Sequence, residues 1–363
     1  MKILYITTVA GTMNFFCSFI EKLIQSGNHV DIVTNDIDSK LPVCYKEWGC
    51  GVHTIRFSRS PLKKRNILAI KELRKKLLEG EYDIVHCHTP VAAMCTRIAA
   101  KEVRKKGTKV FYTAHGFHFF KGAPVINWLI YFPVEWLCAW WTDVLITINT
   151  EDYEFAKKHL HAKKIQYVPG VGIDEKKIKE HATDREKKRI DLGIPNEALL
   201  LLSIGELNQN KNHELVIRAI KDIDVYYIVA GNGKRKEELE MLAKELYISD
   251  RVKLLGHRND VIDLCKSSDL FVFPSFREGL PVSVMEAMAC SLPVVCSEIR
   301  GNMDLIDDKG GCYFKPDDVV SCHDAIEYIF NSDIEWMGRY NAEKVKKYGK
   351  ENINEEMMRI YCS

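Results

Sequence analysis

A short segment that joins an apolar run to a helix offers the clearest chemistry in this sequence. It reads Phe273-Pro274-Ser275-Phe276-Arg277-Glu278-Gly279-Leu280-Pro281 and continues from Val282 to Ala289. We expect a strand to end near Phe273 and a helix to start at Pro281, because the first helical turn tolerates a missing N–H. Gly279 lets the backbone approach a ligand closely. The free N–H groups at the start of this helix favour a phosphate, so the segment predicts a phosphate-binding loop.

Two carboxylates, Glu278 and Glu286, stand eight residues apart in this segment. Glu278 precedes the helix and Glu286 lies about one turn inside it, so both side chains can face the same end of the helix. One could contact a sugar and the other a ribose beside the phosphate. The residues alone leave an alternative open, in which Glu278 is a capping or surface carboxylate and Glu286 an ordinary helix residue.

Strand and helix patterns alternate in two blocks, which predicts doubly wound α/β domains. Apolar runs predict buried parallel strands at 3–8, 30–34, 84–86, 109–113 and 144–148, then at 199–205, 225–230, 252–255, 270–273 and 293–296. Segments with helical periodicity include 14–25, 66–78 and 92–105.

From this pattern we predict an α/β fold with two Rossmann-like domains that face each other across a cleft. Ligands in such sheets bind beyond the carboxyl ends of the strands. The predicted parts are an N-terminal domain at 1–170, an interdomain linker at 171–197, a C-terminal domain at 198–348 and a final helix at 349–363. Periodicity leaves open whether this helix stays on the second domain or crosses back to the first.

The composition is that of a globular protein, with 46% hydrophobic and 28% charged residues among 363. Pro133 and Glu135 interrupt the most apolar stretch, and the N-terminus resembles a strand rather than a signal peptide, so no membrane span is expected. Twelve cysteines without a C-x-x-C pair indicate reduced thiols. A metal site at His86-Cys87-His88 is disfavoured, because adjacent strand residues point to opposite faces.

The charge is distributed unevenly along the chain. Residues 1–164 hold 24 Lys and Arg against 15 Asp and Glu, whereas the whole chain has a net charge of +2. A solvated helix face explains any single basic run. The basic N-terminal half as a whole favours contact with an anionic membrane surface or lipid carrier, and no motif supports nucleic acid binding. We therefore expect a cytoplasmic protein at the inner face of the cell membrane.

Aromatic residues are concentrated between positions 117 and 141. Most of them are expected to pack in the core of the first domain. Those near Phe119-Phe120-Lys121 are candidates for an acceptor entrance that faces a lipid carrier.

Together, several motifs give the chain a strong resemblance to the retaining glycosyltransferases of family 4, which have the GT-B fold. The resemblance spans nearly the whole chain and is strongest to the bacterial exopolysaccharide and capsule branch. Besides the Glu278–Glu286 segment, the motifs that carry it are 83–90, Tyr112-Thr113-Ala114-His115-Gly116-Phe117-His118-Phe119, Val168-Pro169-Gly170-Val171-Gly172-Ile173-Asp174, Gly205-Glu206-Leu207, Lys211-Asn212-His213 and Gly256-His257-Arg258-Asn259-Asp260-Val261.

The resemblance implies a role for each candidate residue. Glu278 would contact hydroxyl groups of the donor sugar, Glu286 would accept hydrogen bonds from the ribose, and Lys211 would neutralise the leaving diphosphate. The implied positions near the donor phosphate, the sugar and the nucleobase are Gly11, His115, Gly256, His257, Arg258, Gly279, Leu280 and Pro281. His115 has a plain alternative as a packed, hydrogen-bonded histidine, and Gly11 as a turn glycine.

One position departs from the family pattern. Relatives often carry an arginine after the glycine of the Gly205 motif, and this arginine joins the lysine on the diphosphate, but this chain has Glu206. Either Arg258 or Lys234 would then join Lys211, or the phosphate contacts differ.

The resemblance implies a reaction without a metal or cofactor, in which a nucleotide-sugar, by family habit a UDP-sugar, is the substrate. The leaving diphosphate would take the acceptor proton, while the protein supplies positioning and charge stabilisation. The acceptor would be a glycan or a polyprenyl-linked sugar. A dinucleotide oxidoreductase is disfavoured because the first turn has Gly11 but no G-x-G-x-x-G; an epimerase on the same fold is the nearer alternative.

Overall fold

The structure is a computed structural model that describes residues 1–35, 40–58 and 60–363. The chain forms two compact units. The first consists of residues 1–171 and 351–363, and the second of residues 172–350. Each unit is built on one parallel sheet.

The sheet of the first unit has seven parallel strands among the described residues, in the order β3-β2-β1-β4-β5-β6-β7. They are β1 (Lys2–Ile6), β2 (His29–Thr34), β3 (Gly51–Thr54), β4 (Ile84–His88), β5 (Lys109–Ala114), β6 (Val144–Thr147) and β7 (Lys164–Tyr167). Ile3 pairs with Val30 on one side and with Ile84 on the other, so β1 lies inside the sheet. Its successive residues are apolar and buried because both faces of the sheet are covered.

The sheet of the second unit has six parallel strands among the described residues, in the order β10-β9-β8-β11-β12-β13. They are β8 (Leu199–Ile204), β9 (Val225–Ala230), β10 (Val252–Gly256), β11 (Leu270–Phe273), β12 (Val294–Ser297) and β13 (Gly311–Phe314). The strand order reverses between β8 and β11, as it does between β1 and β4 in the first unit. These two places are the switch points at which doubly wound sheets bind ligands.

Helices connect the strands and cover both sheets. They are α1 (Cys17–Gln25), α2 (Cys44–Glu47), α3 (Arg65–Gly80), α4 (Pro90–Ala99), α5 (Lys101–Lys105), α6 (Val125–Ala139), α7 (Thr150–His159), α8 (Glu175–Glu180), α9 (Arg185–Asp191), α10 (His213–Ala219), α11 (Lys236–Glu245), α12 (Val261–Ser267), α13 (Val282–Ala289), α14 (Asn302–Leu305), α15 (Val319–Phe330), α16 (Ile334–Lys344) and α17 (Lys350–Cys362). Two 3-10 helices occupy Ala10–Phe16 and Val345–Tyr348. Within the described part of the chain, no helix has the length and apolar character needed to cross a membrane.

The segment predicted as an interdomain linker, 171–197, is not a linker for most of its length. It forms α8 and α9, and residues from 172 onward belong to the second unit. Arg189 holds it there, because its buried guanidinium bonds Asp269 at 2.6 Å and the carbonyl oxygens of Ser267, Asn196 and others. The charged composition of this segment suggested exposure, but a buried arginine whose three side-chain nitrogens all donate hydrogen bonds is part of the packed interior.

The final helix, predicted at 349–363, is α17 and most of it belongs to the first unit. Its apolar residues Ile353, Met357 and Ile360 pack into a core cluster with β1 and β2. Tyr361 is buried, and its hydroxyl lies 2.5 Å from Nδ1 of His86. The last helix of the chain therefore completes the core of the first unit.

Candidate active site

The loops that follow β8 and β11 leave the second sheet side by side at its switch point, because these two strands are neighbours. Lys211 follows β8 and Glu278 follows β11. The loops are tied together by backbone groups, since the Phe276 N–H donates to the Asn210 carbonyl oxygen at 2.8 Å and the Asn210 side chain donates to Arg277. The fold thus fixes the distance between the two predicted residues.

Lys211 and Glu278 form an ion pair in which Nζ lies 2.7 Å from Oε1. The two side chains are only 21% and 16% exposed, and the ammonium also lies 4.7 Å from the centre of the Phe273 ring. Such a pair is less screened by water than a surface pair. The interaction places a cation and a carboxylate together beside the loop that precedes α13, and their roles toward a ligand stay predictions.

Two glycines shape this site. A Cβ at Gly205 would lie 3.1 Å from Cδ of Lys211, so the bare backbone leaves room for the lysine stem across the end of β8. Gly301 has a φ of +80°, and a Cβ there would lie 2.3 Å from the carbonyl oxygen of Gly279. Only glycine fits at position 301, because the backbone there packs directly against the carbonyl group of Gly279.

Helix α13 begins at Val282, with Pro281 as its extended N-cap residue, one residue later than the prediction placed its start. Leu280 and Pro281 are buried, whereas Gly279 is half-buried. Glu286 lies in the second turn, and burial raises the pKa of its carboxyl, an effect that Lys350 partly offsets. In the described residues its carboxylate has no hydrogen-bond or ion-pair partner, which leaves it available to a ligand.

The Gly256-His257-Arg258 segment begins at the last residue of β10, and its backbone meets the neighbouring loop where the Gly231 N–H donates to the Gly256 carbonyl oxygen at 2.8 Å. Arg258 is held by Asp260, with Nε 2.8 Å from Oδ1, and this pair together with Lys188 lowers the pKa of Asp260. The guanidinium is therefore already engaged. Arg258 is therefore less suited to take over the role of the arginine that relatives carry at the position of Glu206.

Lys234 is the other candidate that the sequence analysis named for this role. It lies in the loop after β9, where the Leu207 N–H donates to the Asn232 carbonyl oxygen at 2.9 Å and the Arg235 N–H donates to the Leu207 carbonyl oxygen at 3.1 Å. These bonds hold the loop against Glu206 and Leu207. Lys234 is exposed and forms no ion pair within the described part of the chain, so its charge is free to meet an anion.

His115 and Gly11 belong to the first unit. Gly11 lies in the 3-10 helix after β1. His115 follows β5, and its Nε2 lies 3.0 Å from Nδ1 of His88. Burial lowers the pKa of His115 to about 4 and that of His88 well below its ordinary value. The two rings are therefore neutral near pH 7, and one donates to the other.

The sequence interpretation treated His88 as a packed histidine and did not connect it with His115. It is buried between Tyr5, at 4.7 Å between ring centres, and Phe16, at 4.3 Å. With His115 it lines a small, mostly apolar pocket at the carboxyl ends of the strands. The available signal was its position at the end of β4, beside the end of β5 that carries His115.

These histidines predict a loss of stability in mild acid. Burial lowers the pKa of His86 to about 3, so His86 binds a proton in the unfolded chain near its ordinary pKa of about 6.5 but not in the folded chain. Stability is then complete above about pH 6.5 and falls as the pH drops toward 4, by about 1.4 kcal/mol per pH unit for His86 alone. Urea unfolding between pH 4 and pH 7 measures this slope.

His86→Gln should reduce that slope, whatever it does to the stability at pH 7. The matched control is His257→Gln at an exposed position. An unchanged slope in His86→Gln would contradict the assignment.

Among residues 1–35, 40–58 and 60–363, no group of three or more His, Cys, Asp or Glu side chains is placed to hold a metal ion. The twelve cysteines are unbridged, and seven of them are buried. Metal independence stays a prediction.

Comparisons with known proteins extend over the whole chain. Residues 9–176 match the family model of Glycosyltransferase Family 4, and residues 184–352 match that of Glycosyl transferases group 1. EpsD of Bacillus subtilis (strain 168), which is named as a glycosyltransferase, is 34% identical over 100% of this chain and 96% of its own. The UDP-Gal:alpha-D-GlcNAc-diphosphoundecaprenol alpha-1,3-galactosyltransferase of Escherichia coli is 32% identical over 69% of this chain and 68% of its own.

The crystal structure of HepE from Anabaena in complex with UDP and glucose covers 100% of this chain and 99% of its own. Its TM-score is 0.81 at 18% identity, which shows a common fold. The full-length identity to EpsD and the two family models agree with the motifs that the sequence carries. The chain belongs to glycosyltransferase family 4 and is a transferase with the GT-B fold.

Proposed function

We propose that this protein transfers a sugar, with retention of configuration, from a UDP-sugar to a lipid-linked acceptor in exopolysaccharide, capsule or other cell-surface glycan synthesis. The Escherichia coli relative supports both substrates, since its name gives UDP-Gal as donor and a diphosphoundecaprenol-linked sugar as acceptor. The HepE complex with UDP and glucose supports the donor class.

The observation that carries this proposal is the Lys211–Glu278 pair beside the start of α13. Glu278 would accept hydrogen bonds from the sugar hydroxyls, and Lys211 would neutralise the diphosphate as it leaves. N–H groups near Gly279 would bind a phosphate, and the unpaired Glu286 carboxylate would bind the ribose. His257 and Arg258 would border the nucleobase, and the resemblance implies contacts of His115 with the sugar and of Gly11 with the donor phosphate and the acceptor.

In this reaction the bond between the anomeric carbon and the diphosphate oxygen breaks. The acceptor hydroxyl forms the new bond on the same face of the sugar, and its proton passes to the leaving diphosphate. The protein then needs no general base, and its contribution is positioning and charge stabilisation. We propose that no metal takes part, so a chelator should leave the rate of transfer unchanged.

An acceptor anchored in lipid requires an enzyme that works at a membrane surface. We propose a cytoplasmic location at the inner face of the cell membrane, with peripheral contact through the basic N-terminal half. The supporting observation is the charge of that half, which attracts anionic lipid headgroups.

A screen of UDP-, GDP- and dTDP-sugars by thermal shift and by donor hydrolysis tests the donor. We expect UDP-sugars to raise the melting temperature and to be slowly hydrolysed. If no nucleotide-sugar stabilises the protein or is hydrolysed, the proposal fails.

The exposed Lys234 gives a separate prediction about the diphosphate. Lys234→Ala should raise the dissociation constant for UDP by about fivefold, because one partly screened charge contact contributes about 1 kcal/mol. Calorimetric titration measures this change.

Lys236→Ala is the matched control, since Lys236 lies two positions away and pairs with Glu240 at 3.7 Å. Its effect should be less than about twofold. Equal affinities in the two variants would exclude Lys234 as the second cation.

A further inference from the structure

Helix α6 exposes a continuous apolar stripe. Its residues recur at helical spacing and are between 41% and 72% exposed; they are Val125, Ile126, Leu129, Trp136, Leu137 and, at the C-cap, Trp140. Pro133 is also exposed and fills the gap between Leu129 and Trp136. The stripe is roughly 20 Å long at 1.5 Å per residue. A stripe this long is unusual on a surface that only water contacts.

The opposite side of α6 explains why the stripe stays outside. Trp128, Tyr131 and Phe132 already pack against the core of the first unit. Glu135 is the single charged residue of the helix, and it is buried in an ion pair with Arg97 at 2.8 Å. The outer face of α6 therefore carries no charge, and its exposed apolar residues do not take part in the core of the first unit.

Basic residues border the end of this stripe. Lys101 lies 3.2 Å from the centre of the Trp141 ring, and Arg104 donates to the Trp140 carbonyl oxygen at 3.1 Å. His161 stacks on Trp140 at 4.7 Å and leads into Lys163 and Lys164. Nearby acidic residues are compensated, since Asp143 pairs with Arg104 and Glu102 with Lys106.

We propose that this stripe is the surface by which the protein docks on an anionic lipid bilayer, with α6 lying in the interface. A bilayer offers both properties that the stripe needs, an apolar interior and a negative surface. Tryptophans at the end of the stripe suit the headgroup level. A second copy of the chain fits less well, because its matching uncharged stripe offers no negative surface to the basic border.

This inference deepens the proposed function and rests on it for its biological purpose. It differs from attraction by charge alone, which would place the contact on any basic surface of the N-terminal half. Apolar insertion predicts binding that salt weakens but does not abolish.

The experiment uses the full-length protein with vesicles of phosphatidylcholine and phosphatidylglycerol, without donor. The test variant is Leu129→Gln with Leu137→Gln, since both residues are exposed and neither supports the core. The control is Met241→Gln with Val320→Gln, which removes two exposed apolar residues from the second unit. All tryptophans are retained, so brominated lipids that quench their emission report insertion.

We expect wild type and the control to bind vesicles alike, with quenching by brominated lipids. The test variant should partition roughly 30-fold less strongly, because two inserted leucines are lost. About 0.5 M salt should weaken but not abolish wild-type binding. Equal binding by the test variant, absence of quenching, or self-association of the wild type that the test variant loses would each overturn the proposal.

UDP-sugar binding separates this inference from the proposed function. The test variant should keep its thermal shift with UDP-sugars and lose only transfer to acceptors embedded in vesicles. A protein that binds vesicles through α6 but ignores every nucleotide-sugar would remove the proposed function and leave the docking surface in place.

Discussion

Replacing Glu278 with glutamine is expected to slow sugar transfer by about 100-fold, while the affinity for UDP changes less than about threefold. Glutamine keeps the shape of the side chain but removes the charge that lies 2.7 Å from Lys211. Its hydrogen bonds to sugar hydroxyls are weaker than those of a carboxylate, and the lysine loses the partner that positions it. Initial rates at saturating donor and calorimetric titration with UDP measure the two effects.

The ion pair predicts a further result for the double variant. Lys211→Met should also slow transfer strongly, but the combination with Glu278→Gln should be little slower than the worse single variant, because the two groups act as a unit. Glu240→Gln, at a surface carboxylate of the same unit, is the control. Fully additive losses, or an equal loss of UDP affinity in Glu278→Gln, would contradict these roles.

Replacing Glu286 with glutamine is expected to weaken UDP binding by about tenfold, because an amide oxygen is a weaker acceptor for ribose hydroxyls than a carboxylate. The free protein should lose no stability. Burial raises the pKa of Glu286 and thereby disfavours its charged form, so removing an unpaired charge costs the folded state nothing. Titration with UDP and thermal unfolding without ligand measure the two effects.

The 2′-deoxy form of UDP provides the matched ligand control. Wild type should prefer UDP, and Glu286→Gln should lose most of that preference, since the hydroxyl that distinguishes the two ligands no longer meets a carboxylate. If the variant binds both nucleotides more weakly by the same factor, Glu286 does not contact the ribose 2′-hydroxyl.

Most of the strands that the sequence predicts are buried on both faces, and the exception is β10, which is partly buried at a sheet edge. Strand β1 and strand β8 consist of successive apolar residues, which is the pattern that a covered parallel sheet requires. Strands β3, β7 and β13 escaped prediction because each has four residues, lies at a sheet edge and is only partly buried. Their place is decided by pairing with a neighbour rather than by their own composition.

The linker prediction at 171–197 was wrong for a related reason. A charged segment usually faces water, and charge in a sequence does not show whether it is compensated. The buried Arg189 finds Asp269 and the carbonyl oxygen of Ser267 about 80 residues further along the chain. Such partners are brought together only by the tertiary fold.

By itself, the sequence determined the α/β class, the family, and the presence of Glu278, Glu286 and Lys211 after the strands of the second sheet. Those features depend on local patterns and on spacing within one loop and helix. The tertiary structure decided that Lys211 reaches Glu278, that Arg258 is engaged by Asp260, and that Lys234 forms no ion pair with any residue that the structure describes. It also decided that the aromatic residues of α6 divide between core and surface. These outcomes depend on which strands are neighbours and which face of a helix is already covered, and residues far apart in the chain set both.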